Sequence, residues 1–125
     1  MPFSRTIAAA ALLLASGISA PAQVAMLSSG NTLDDPRSIL VSKANLPGDG
    51  FIVVRAEIGG GRLAPGALET VPVRAGTVSD LRIPLARPAK PGEALVIRLH
   101  ADFGQKGVFE PGKDPLVLEH EVKAK

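Results

Sequence analysis

Residues 94–102 read ALVIRLHAD, and their alternation decides the fold class. Side chains switch faces at every step of an extended chain. Leu95, Ile97, Leu99 and Ala101 therefore form one side, and Val96, Arg98, His100 and Asp102 the other. Residues 51–58 (FIVVRAEI) behave similarly: the first half is continuously apolar, then Val54, Ala56 and Ile58 alternate with Arg55 and Glu57. Both stretches predict strands with one face packed inward and the other turned at least partly to water.

Four further strands are expected around these two. Residues 37–44 are short, and Ile39, Leu40 and Val41 in succession leave their facing ambiguous. Residues 67–74 and 78–85 carry Pro72 and Pro84, and a proline withholds a ladder donor, so both segments belong at sheet edges. In residues 116–123, Leu116, Leu118, His120 and Val122 share a face opposite Glu119, Glu121 and Lys123. Dense turn signals separate the strands, such as LPGDG at 46–50 and RPAKPG at 87–92. No helical period occurs after the N-terminal segment. The expected fold is all-β, an antiparallel immunoglobulin-like sandwich of about seven short strands, without the Trp-on-disulfide core of antibody domains.

Domain organisation follows from the N-terminus. Arg5, an apolar run from Ile7 to Ala15, and the small residues Ala20-Pro21-Ala22 match a signal peptide over 1–22, cleaved after Ala20 or Ala22. The apolar run is too short to cross a bilayer as a helix. Residues 23–36 are expected to form a flexible leader, and 37–125 the sandwich domain. Export implies a periplasmic or secreted protein. Cleavage removes one of 14 basic residues against 12 acidic ones, leaving a near-balanced charge with no Lys/Arg cluster, which argues against nucleic acid as a partner. No later stretch is apolar enough for a membrane segment. The absence of cysteine excludes disulfides, thiolate chemistry and a lipidated cysteine. Only Phe51, Phe103 and Phe109 are aromatic after the signal peptide, too few for a sugar- or base-stacking platform.

Three stretches, in order, carry a family resemblance: LPGDGFIVV at 46–54, the Ala75-Gly76-Thr77 to Leu85 segment, and Leu99-His100-Ala101-Asp102 followed by Gly107 and Phe109. The chain resembles an uncharacterised domain family of haloarchaeal surface glycoproteins and bacterial exported proteins over residues 37–123. That resemblance implies an extracytoplasmic β-sandwich and carries no catalytic residue.

Chemistry-bearing residues are sparse. His100 and Asp102, two apart on one strand, are weak metal candidates, but a structural site needs about four ligands. His120 points to the apolar face and is expected to be a satisfied histidine. An EF-hand-like loop starting at Asp102 would place Gly104, Lys106 and Lys113 at ligand positions, which calcium does not tolerate. Irregular calcium binding by Asp102, Glu110 and Asp114 remains open. Gly59-Gly60-Gly61 lacks the Gly-Lys-Ser/Thr and helix of a phosphate loop. Ser79 has no nucleophile elbow. Arg55, Arg82 and Arg98 leave outward strand faces and could line up across a sheet as an anion-binding stripe, but alternation with carboxylates argues for ordinary solvation. The sequence therefore points away from an enzyme and from a cofactor. It favours an exported module that acts by surface or protein–protein contact with an envelope or extracellular protein. A periplasmic metal-binding protein using His100 and Asp102 is the alternative.

Overall fold

The computed structural model describes residues 24–125; residues 1–22, expected from the sequence to be a signal peptide, lie outside the described residues. Eight strands are present among them: β1 Met26–Ser29, β2 Ser38–Leu46, β3 Gly50–Gly59, β4 Arg62–Leu63, β5 Glu69–Val73, β6 Gly76–Pro84, β7 Ala94–Ala101 and β8 Leu116–Lys123. No helix accompanies them, as the alternating pattern requires.

The strands form two antiparallel sheets. One has the order β1-β2-β6. The other runs β4-β3-β7-β8, and β5 pairs with the first half of β3. The apolar faces meet as a sandwich. Ile39, Val41, Ala44, Leu46 and Ile83 come from one sheet; Ile52, Val54, Leu95, Ile97, Leu99 and Val122 come from the other. Truncating any one of the larger of these would cost about 2–5 kcal/mol through lost burial and a residual cavity. Pro72 and Pro84 fall on β5 and β6, each paired on one side only, where a missing N–H donor costs nothing.

Ile39, Val41, Ala44 and Leu46 all point inward, although a strict period of two cannot carry 41 to 44. The β1–β2 register shifts between Ser28 and Ser29, and Asp80 on the facing β6 adopts a left-handed φ of 53°. This irregularity resets the phase of β2 between Val41 and Ala44. Leu40, which blurred the pattern at 39–41, is half-buried between the inward Ile39 and Val41.

Residues 23–36 were expected to be a flexible leader, and here the structure corrects the sequence. Met26–Ser29 is a strand paired with β2. The Leu33 amide donates to the Lys123 carbonyl, and the Lys123 amide donates to Asn31. Leu33 is buried with Ala89 and Ala124, closing one end of the sandwich. Backbone pairing and one buried leucine hold this segment, and neither gives a periodic signal.

The same end is clamped by Glu93. Arg87 donates to it through both Nη atoms, at 2.9 and 2.6 Å, and the Lys90 amide adds a third bond at 2.9 Å. The Arg87 hydrogen bonds above all pull the Glu93 carboxyl down from 4.5 to about 2. A depressed folded-state pKa contributes stability above 4.5 that is lost as pH falls towards 2. Glu93→Gln should therefore lower the melting temperature by about 5 °C at neutral pH. The gap to wild type should close between pH 4.5 and 2 in thermal melts; a pH-independent gap would assign the effect to packing instead.

Candidate functional site

The chemistry-bearing residues gather where β7 ends. Ala101 is the last strand residue, and its amide donates to the Pro115 carbonyl. Residues 102–115 then loop over the outer face of the larger sheet before β8. A loop with three glycines has many amides that no ladder can satisfy, so acceptors must come from side chains. Three carboxylates supply them. Asp102 Oδ2 accepts the Gly107 amide at 2.9 Å, and Glu110 Oε1 accepts the Gln105 amide at 2.8 Å. Asp114 Oδ1 accepts the amides of Phe103 and Gly104 at 2.8 Å each, and its Oδ2 accepts that of Glu110 at 2.7 Å. The Asp114 side chain is buried, and these bonds, the Glu110 amide first, hold its carboxyl below the usual range.

The loop is pinned to the sheet by His100. Its Nδ1 lies 2.8 Å from the Asp114 carbonyl oxygen, which can only accept, so Nδ1 carries a proton. Phe109 packs against the His100 ring edge-on, with centroids 4.9 Å apart, and against Phe51 at 5.4 Å. Two of the three described aromatic residues thus dock the loop, while Phe103 lies exposed at its start.

His100 and Asp102 line different concavities. The β7–β8 register shifts between Leu99 and His100, the strand stops at Ala101, and the Asp102 amide donates to the Asp49 carbonyl. Asp102 consequently lines a different concavity, with Asp49, Arg74 and Lys106, where Lys106 Nζ meets Asp49 Oδ2 at 2.9 Å. His120 pairs in register with the inward Ile97 and lies 3.3 Å from the Gly30 carbonyl oxygen, on the sheet face opposite His100. Among the described residues no group of three or more His, Cys, Asp or Glu is placed to hold a metal ion.

A larger concavity of about 550 Å³ opens on the outer face of β3 and β7. Val53 forms its floor; Arg55, Arg98, His100, Phe109 and Leu116 line its sides. Register explains the grouping. Val53 lies opposite Arg98 and Arg55 opposite Val96, so the two arginines are diagonal neighbours on one face. Arg82 is on the other sheet, paired with Asp34 at 3.3 Å, where it lowers the Asp34 pKa. Sequence reasoning noted all three arginines and missed this concavity, because strand register cannot be read from alternation alone.

The described residues include no helix long and apolar enough to cross a membrane. No curated protein and no solved structure matched the chain in the comparisons made. A family model described as a domain of unknown function (DUF7282) matches residues 25–120, from β1 through most of β8. With that span covered, the chain belongs to the DUF7282 family.

Proposed function

We propose that the protein is an exported, non-enzymatic β-sandwich module, immunoglobulin-like in architecture, that acts by contact at the cell envelope or outside the cell. Export rests on the signal-like pattern of residues 1–22, and the observation that carries a contact role is the 550 Å³ concavity on the outer sheet face. Its floor and sides are set by paired strands and a hydrogen-bonded loop, and a rigid, partly apolar recess with a few polar groups is the usual form of a recognition surface. Asp114 and His100 Nδ1 are engaged with backbone groups of the loop, a structural use of these side chains that supports a non-enzymatic reading.

Export is tested by fractionating cells that make the full chain and sequencing the N-terminus of the product. The expected result is a periplasmic or secreted protein beginning just after Ala20 or Ala22. Full-length protein confined to the cytoplasm would overturn the proposal.

A further inference from the structure

We infer that the concavity between β3 and β7 is a binding site for a carboxylate joined to a small apolar group, with Arg55 and Arg98 as its charged partners. This deepens the contact function by naming a ligand, and rests on it only in treating the recess as a working surface.

The first support is a pair of unsatisfied donors. Arg55 Nη2 is fixed to the Ala64 carbonyl oxygen at 2.7 Å, yet Arg55 Nε is enclosed without a hydrogen-bond partner. Arg98 Nε is likewise enclosed without an aligned hydrogen bond, and forms only an ion pair with Glu119 Oε1 at 3.3 Å. Buried donors in folded proteins are nearly always paired. These two are covered by protein atoms, so a ligand in the recess reaches them only through a shift of the guanidinium groups. A guanidinium presents its donors in a planar fork that matches a carboxylate. Diagonal neighbours on adjacent strands lie roughly 7–8 Å apart, close enough for both long side chains to reach one group.

The second support is the balance of charge and apolar surface. Glu119 is the nearest competing anion, but its side chain is 53% exposed and can swing into water. The Asp114 carboxylate is already occupied by three amides. Around the arginines stand Val53, Phe109, Leu116 and the rings of Pro111 and Pro115, surfaces suited to a branched aliphatic group. A volume of 550 Å³ suits a small acid or the end of a peptide.

The side-chain Nε–H groups of arginine give their own resonances in proton–nitrogen NMR, so the site can be watched directly in the purified protein. Titration with 4-methylpentanoate should move the Arg55 and Arg98 signals saturably, while its amide and chloride should not. Arg55→Gln or Arg98→Gln should weaken binding roughly tenfold or more, as expected for a lost charge-assisted hydrogen bond. Glu119→Gln should tighten it by removing the competitor. The tripeptide Ala-Ala-Leu binding more tightly than the free acid identifies a peptide C-terminus as the natural source; the reverse order identifies a free acid. Either order supports the site. The wild-type titration alone is decisive even if a variant fails to fold. No saturable shift with either carboxylate, or an equal shift with chloride or the amide, overturns the inference. Export is measured separately, so a silent titration leaves the localisation result intact.

Discussion

Gly50→Ala is expected to cost the domain about 3 kcal/mol or more, a large share of the roughly 5–15 kcal/mol that holds such a domain folded. Gly50 opens β3 and pairs with Val73 on one side and Ala101 on the other. A methyl group there would run into the backbone carbonyl of His100 and press on Leu46 Cδ2. Neither neighbour can give way cheaply. His100 lies in a strand paired on both sides and is pinned through Nδ1 to Asp114, while Leu46 is buried in the core. The penalty comes from this close approach, because Gly50 is not among the glycines with positive φ. Gly48→Ala, two residues earlier in the same turn, meets nothing within 4 Å and serves as the control. Thermal melts should show Gly50→Ala lowered by roughly 12–24 °C and Gly48→Ala within a few degrees of wild type. Equal melting temperatures for the two variants would rule out the close approach as a constraint.

The glycine itself was visible in the sequence, in the LPGDG turn, but its purpose was not. A turn signal says that the chain reverses; only the sheet shows that Gly50 also passes against a neighbouring strand. The same division runs through the whole chain. Strands β3 and β7 were legible because each is long enough for alternation to show, and Pro72 and Pro84 marked edges for a reason local to proline. Strand β1 was hidden because four residues at a sheet edge need no apolar pattern to pair.

At the end of β7 the backbone departs from the alternation read in the sequence. Extending alternation one residue past Ala101 placed Asp102 beside His100; the backbone turns there instead to bond Asp49. Asp102, Glu110 and Asp114 drew attention as possible ion ligands, since carboxylates in a glycine-rich loop suit calcium. Both Asp114 oxygens and one oxygen each of Asp102 and Glu110 accept the loop's own amides, a demand that arises only once the loop leaves the sheet ladder. His120 was placed correctly on the inward side of its strand, because β8 keeps its period through that residue. Arg55 and Arg98 became neighbours through register, which depends on the turn and the opposite strand together.

Asp114→Ala is the other substitution expected to act strongly, and it tests whether the loop is held chiefly by that one carboxylate. Removing it leaves the amides of Phe103, Gly104 and Glu110 without acceptors in a buried setting. Unsatisfied buried donors are costly, so the loop should undock and draw Phe109 away from Phe51 and His100. A fall in melting temperature of about 10 °C is expected, together with rapid hydrogen exchange at those three amides. Asp114→Asn, which keeps the shape but exchanges one acceptor oxygen for a donor, should fall between this variant and wild type. Acid should reproduce the effect in the wild-type protein. The Asp114 pKa is lowered in the folded state, so its contribution is full above the ordinary value of 3.8 and is lost as pH drops through the folded value. The difference between wild type and Asp114→Ala should therefore be constant near neutrality and shrink below pH 3.8. If the alanine variant melts with wild type and keeps the three amides protected, the aromatic contacts rather than the carboxylate hold the loop in place.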